Sequence, residues 1–236
     1  MTPVTGRKPD FDEWKAFLTG ESLLLGLLGK ALYQEPDKAW IHSLAAGQVF
    51  EEAPLQLQHP DAGQGLASLQ KFSQGAESGV SEQVFEELRL DYTRLFIGPG
   101  KVLVPPWESV YFNEERLVFQ EQTLQVRGWY RRFGLQVEKL YNEPDDHIGL
   151  ELAFLAHLSG LGVQALEEGD PERFNALLSA QRDFLSQHVL RWAPQFCEQA
   201  AAQARTDFYR GVALLTRGAL LDLAESFEIE LPEITG

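Results

Sequence analysis

One cysteine and one methionine stand in 236 residues. The lone thiol, Cys197, excludes an intramolecular disulfide and a multi-cysteine metal cluster and fits a reducing compartment; its residue type reads first as a small buried hydrophobe, second as a reactive thiol. Basic side chains are scarce too, 20 Lys and Arg against 35 Asp and Glu, for a formal charge of −15. Such a field repels nucleic acid and anionic lipid and attracts cationic partners. No secretory segment opens the chain: Met1 to Asp10 is polar, and the first apolar run, Leu23-Leu24-Leu25-Gly26-Leu27-Leu28, follows Asp12 and Glu13 and is too short to span a bilayer. These features imply a soluble, cytoplasmic protein that binds no nucleic acid and makes no stable membrane insertion.

Enzyme signatures are missing as well. Gly26-Leu27-Leu28-Gly29-Lys30-Ala31 fails as a phosphate loop, lacking a glycine five residues before Gly29 and a Ser or Thr after Lys30. His147 and Glu151 lie four apart, which allows an acid-base pair or a weak metal site, yet HExxH is absent and His157, ten positions on, falls on a different helical face. No serine sits in a strand-to-helix elbow. The expectation is a non-enzyme without cofactor or metal.

What is abundant is apolar residue at helical spacing. With hydrophobic residues at 44% and no sustained period-two alternation, the fold class is all-α, a single helical domain of about ten helices. Phe11 to Tyr33 forms the first long helix, and a short one follows Asp37. Gln56 to Gly79 is ambiguous, its Leu66, Leu69 and Phe72 pattern interrupted by Gly63, Gly65 and Gly75. Ser81 caps a helix that runs to Gly98-Pro99. Asn113 opens the next, closing near Gly134, and Asp146 caps a third whose all-round apolar surface makes it central. Asp170-Pro171 starts a helix through Leu190, Pro194 a short one, and Thr206 a last one ending near Phe227. An N-terminal block, about 11–134, a hinge loop, about 135–146, and a C-terminal block, about 147–227, organise the chain. The hinge could exchange the C-terminal block between chains, giving a monomer or a domain-swapped homodimer.

Two loops punctuate this pattern. Pro105-Pro106-Trp107-Glu108-Ser109-Val110-Tyr111 puts aromatics on a stiff frame, either as a tryptophan packed under a loop or as a wall for a peptide. Glu143-Pro144-Asp145-Asp146-His147 gathers three carboxylates and an imidazole at a helix start. They serve either as cap and dipole partners or as the acceptors of a cationic ligand, Asp146 in particular remaining ionised and available to an arginine pair.

These stretches, with Tyr92-Thr93-Arg94-Leu95-Phe96-Ile97-Gly98-Pro99 before them and Asn142 leading the second, resemble in order and spacing the TorD/DmsD/NarJ family of redox enzyme maturation chaperones, the DmsD-like branch most closely. The likeness is specific across about Phe85 to Leu161, moderate beyond it and weak before Ser81. It implies an all-helical cytoplasmic chaperone that binds the twin-arginine signal peptide of a molybdoenzyme subunit. Such a chaperone holds the apo catalytic subunit of a molybdopterin oxidoreductase until cofactor insertion and releases it before Tat export. Carried over by position, the peptide-binding residues are Tyr92, Leu95, Phe96, Pro106, Trp107, Ser109 and Tyr111 on one side, with Glu143, Pro144, Asp146 and His147 on the other. The chain departs from the pattern at Gly100, where relatives can carry an aromatic, and its first ten residues have no counterpart. The alternative that the likeness leaves open is weak binding or hydrolysis of a nucleotide, GTP. A bare helical scaffold, with loops that only cap helices, is the third.

Overall fold

The computed structural model describes residues 10–76, 79–98, 100, 102–136 and 143–231. These form nine α-helices with two 3-10 segments and one π turn, and no strand among the described residues. Local chemistry sets most helix starts. In α1 (Phe11–Tyr33) Asp10 and Glu13 form a reciprocal capping box. Asp37 caps α2 (Lys38–Ala46), Ser81 caps α4 (Glu82–Tyr92), and Asp170 with Pro171 opens α7 (Pro171–Gln187). Thr206 caps α9 (Asp207–Ser226). The ambiguous 56–79 stretch holds α3 (Pro60–Gly75), begun by His59 and Pro60.

Four starts or ends differ from the sequence expectation. α4 gives way at Thr93 to a π turn, Thr93–Ile97, closed by the Gly98 N–H donating to Thr93 O at 2.6 Å, with Gly98 at φ +60. Asn113 does not open a helix: its side chain bonds Ser109 O, Leu117 O and Leu117 N, bracing a loop in which Arg116 and Phe119 take φ of +55 and +60. Those left-handed residues break helical repetition, so α5 starts only at Glu121 (Glu121–Arg132). Asp146 is not the cap of α6 (Ile148–Glu167); His147 is, its Nδ1 accepting from the Gly149 N–H at 3.0 Å. Finally α7 stops at Gln187, a 3-10 turn (Val189–Arg191) leads on, and α8 spans Ala193–Gln203.

α1 and α6 lie antiparallel as the central pair. Residue numbers rise on one as they fall on the other: Gly29 meets Gly149, Ser22 Oγ donates to Ala156 O, and Leu18 meets Gly162. α3 and α9 pair the same way, Ala62 against Gly218 and Gly65 against Gly211 and Leu215. Both pairs join the block before the expected hinge to the block after it. α7 packs on α6, and α8 on α9. By length and composition α1 and α6 could each cross a membrane, yet half or more of each apolar stretch is buried inside the fold. Residues 137–142 of the expected hinge lie outside the described residues.

Candidate functional site

The two unusual loops are stitched to each other. Residues Trp107 and His147 pair in an isolated antiparallel bridge, the Ile148 N–H donating to Pro106 O at 2.8 Å and the Glu108 N–H to Asp146 O at 2.9 Å. The Asp146 carboxylate completes the joint, accepting from the Ser109 N–H and from the Thr123 hydroxyl, both at 2.7 Å. Asp146 is fully buried, so its charge is offset by charge-assisted bonds inside the frame and is not available to a ligand. Asp145 is likewise engaged, bonded by Arg127 at 2.7 and 3.1 Å. The expectation that these two carboxylates receive an arginine pair is thus corrected: each already has protein partners.

Trp107 is therefore held at both ends, by the bridge through its backbone and by its indole N–H, which donates to Glu143 Oε1 at 2.9 Å. Beneath it lies a buried polar chain. Glu108 contacts His188 Nδ1 at 3.0 Å, and Glu151 accepts from the Trp192 indole at 3.1 Å. Burial, opposed by His188, pushes the Glu108 carboxyl up; burial and the neighbouring Glu108 and Asp146 charges push Glu151 well up. His147 and Glu151, four apart in sequence, do not pair: Glu151 turns to Trp192, and His147 to Gly149.

In front of Trp107 opens a cavity of about 1020 Å³. α6 lines it with Leu150, Ala153, Phe154 and His157, one helical face at spacings of three and four. The α4 end gives Tyr92, Phe96 and Ile97; the α1 end gives Tyr33, Gln34 and Glu35; the loops give Pro106, Trp107, Glu143 and His147. Tyr130, Leu135 and Gln136 complete the described lining, which contains no lysine or arginine.

Of the residues expected to bind peptide, Tyr92, Phe96, Pro106, Trp107, Glu143 and His147 meet at this cavity. Leu95, Ser109, Tyr111, Pro144 and Asp146 are not among its lining residues. Leu95 and Ser109 are fully buried, and Tyr111 packs on Trp192 at 5.2 Å between ring centroids. Sequence reasoning missed Tyr33, Glu35 and the α6 face. It also placed His157 away from His147, whereas both line one cavity, because His147 is an extended cap residue outside the helical phase.

His147 is 5% exposed. Burial drives its imidazole down to about 3, so the ring is neutral, and with Nδ1 accepting from Gly149 the proton sits on Nε2. Tyr92 donates to Leu32 O at 3.4 Å; burial, then the charges of Glu35 and Glu143, push its hydroxyl up. Cys197 is buried and its thiol pushed up by burial.

A family model described as nitrate reductase delta subunit matches residues 57–198. A protein named probable Tat proofreading chaperone DmsD from Haemophilus influenzae is 30% identical over 208 residues, 88% of this chain and 92% of that one. The Tat proofreading chaperone DmsD of Salmonella typhi is 34% identical over 132 residues, 56% of this chain and 58% of that one. The chaperone protein TorD of Aliivibrio fischeri is 31% identical over 126 residues, 53% and 57% of the two chains.

Proposed function

This chain belongs to the nitrate reductase delta subunit family, with relatives named as Tat proofreading and TorD chaperones, and on that premise we propose that it is a cytoplasmic, non-catalytic chaperone that takes a twin-arginine leader into the cavity before Trp107. Its client is a molybdoenzyme subunit, held until its cofactor is in place and released for export. The observation that carries this reading is an aromatic and aliphatic cavity whose described lining holds two carboxylates and no cation. A twin-arginine leader couples a basic stretch to an apolar one, and this wall offers a complement to each. A volume of about 1020 Å³ stands at the upper end of the range usual for small-molecule pockets, roughly 300–1,000 Å³, and suits several side chains of an extended segment.

The bridged loops suit the task. An aromatic fixed at backbone and indole loses little freedom when a peptide covers it. In the apo subunit an apolar leader segment would be exposed, and its burial against Phe96, Trp107, Leu150 and Phe154 supplies the driving force. The client-free protein is a monomer or a swapped dimer, in which the α1–α6 and α3–α9 pairs would re-form between chains.

Calorimetry with a synthetic leader peptide tests the reading. Trp107→Ala should weaken binding about thirtyfold, about 2 kcal/mol, as truncation of an aromatic anchor does. Phe119→Ala, an exposed side chain outside the cavity, should change nothing. Equal affinity for wild type and Trp107→Ala, with melting unchanged, would overturn it.

A further inference from the structure

We propose that Glu35 and Glu143 form a two-carboxylate clip at the cavity, and that Glu35 makes the site prefer arginine to lysine in the bound peptide. The inference rests on the leader-binding reading and goes on to name the residue that reads the basic end.

The two acids reach the cavity from opposite parts of the chain. Glu35 follows the C-terminal end of α1, and Glu143 opens the second loop. They are the carboxylates of the described lining, because Asp145 is bonded by Arg127, and Asp146 by Ser109 and Thr123. Both line the cavity with Tyr92, whose hydroxyl is pushed up by burial and then by these two charges. Glu143 is oriented by the Trp107 indole on Oε1, and none of the described residues bonds its Oε2. Arg89 is near enough to feel the Glu35 charge, but its guanidinium is bonded through Nε and Nη2 to Glu86 at 2.9 and 2.7 Å. The end of α1 adds the negative pole of a 23-residue helix on the same side.

A second observation says what else the ligand must carry. His147 is 5% exposed, lines the cavity, and has its proton on Nε2, for which the described residues supply no acceptor. An N–H at this wall, with no protein acceptor, gains from one that a ligand brings. The ligand that satisfies both features has a cation and, nearby, a carbonyl oxygen, which describes an arginine within a peptide. Tyr33, Tyr92 and Trp107 add ring faces against which a planar guanidinium can stack. A guanidinium can donate to two separate carboxylates at once in fixed directions, whereas an ammonium is a compact charge that a single acid serves as well. Two acids that line one cavity from different elements therefore favour the fork.

The experiment uses the full chain and three synthetic peptides with one apolar segment, preceded by Arg-Arg, Lys-Lys or Gln-Gln. Wild type should bind Arg-Arg about tenfold tighter than Lys-Lys. Glu35→Gln, at an exposed position, should weaken Arg-Arg binding about fivefold or more, shrink the Arg-to-Lys ratio towards one, and leave Gln-Gln affinity as in wild type. Glu143→Gln keeps an oxygen for the Trp107 indole and should shrink the ratio in the same way. An unchanged Arg-to-Lys ratio in Glu35→Gln, with all three peptides still bound, overturns the clip and leaves leader binding standing. No binding of any peptide by wild type overturns leader binding and the clip with it.

Discussion

A carboxylate's surroundings decide whether it serves a ligand or the fold, and Asp146 serves the fold. From sequence it stood at the right place for a cap and for an arginine acceptor; what it does depends on Ser109 and Thr123, which lie 37 and 23 residues away. Asp146→Ala leaves a buried N–H and a buried hydroxyl without acceptors, so stability should fall by about 3 kcal/mol in urea unfolding. Peptide affinity should fall with it, because Trp107 loses its frame, while the salt dependence of binding stays as in wild type. A flatter salt dependence would show that Asp146 meets the ligand's charge directly. His147 carries a pH signature of its own. Folded, its pKa is about 3; unfolded, it returns to its ordinary 6.5. Between these values the unfolded chain holds the extra proton, so His147 is neutral in effect above about pH 7 and costs stability increasingly as pH falls from 6.5 towards 3. Glu21 runs the opposite way: burial raises it from 4.5 to about 7, so its contribution is full below 4.5 and is lost as pH rises to 7. His147→Asn can still cap Gly149 through its amide oxygen and should flatten the acid limb alone. Relative to wild type the variant should gain roughly 1 kcal/mol per pH unit below about pH 6, with a constant difference above pH 7. A pH-independent difference from 4.5 to 7.5 would mean that the ring titrates in the folded chain as it does in the unfolded one.

At the scale of elements, the cavity depends on how closely α1 and α6 approach. A Cβ on Gly149 would lie 2.5 Å from Tyr33 Cβ and 2.6 Å from Gly29 O, a backbone atom that cannot step aside. Gly149→Ala should therefore spread the helix pair, cost about 1–3 kcal/mol as overpacking does, and shift Tyr33 out of the cavity wall, weakening leader binding. Thermal melting with calorimetry checks both; full stability and affinity would show that the pair relaxes freely. The same pair marks where the sequence was legible. Starts set by neighbours within three residues, at Asp10, Asp37, Ser81, Asp170 and Thr206, could be read directly, since the caps act locally. So could the apolar surface of α6. The start of α5 could not, because Asn113 is drawn into loop contacts and two non-glycine residues take positive φ. Nor could Tyr33 and Glu35, which reach a cavity built mostly from residues 60 to 120 positions later. Helical periodicity says which face is apolar, but not which distant helix leaves part of that face uncovered. The π turn at Thr93–Ile97 was hidden for a related reason: periodicity tracks the α-helix, and one widened turn brings Phe96 and Ile97 to the cavity beside Tyr92.

Over the whole molecule, the charge of −15 divides into two populations. Asp91 bonds Arg205, Thr206 and Arg94, and Asp222 bonds the Gln58 and His59 N–H groups. With Asp145 and Asp146 these acids hold elements together and their fields are largely answered at short range. Some exposed acids are paired at the surface, as Glu86 is with Arg89 and Glu167 with Lys15, but acids outnumber bases 35 to 20, and the excess sets the field that an approaching leader meets. Attraction at long range is screened by salt, whereas apolar burial inside the cavity is not. The two stages of binding should therefore separate kinetically. Between about 20 mM and 500 mM salt the association rate for an Arg-Arg leader should fall roughly tenfold or more, and the dissociation rate should change by less than about threefold. Glu35→Gln should do the reverse at fixed salt, speeding dissociation with little effect on association, since one charge in 15 barely alters the distant field but a lost contact loosens the bound state. Stopped-flow tryptophan fluorescence, with Trp107 as the tryptophan in the cavity lining, reads both rates. If salt acts on dissociation alone, the acidic surface plays no part in capture, and the leader is recognised only once it has reached the cavity.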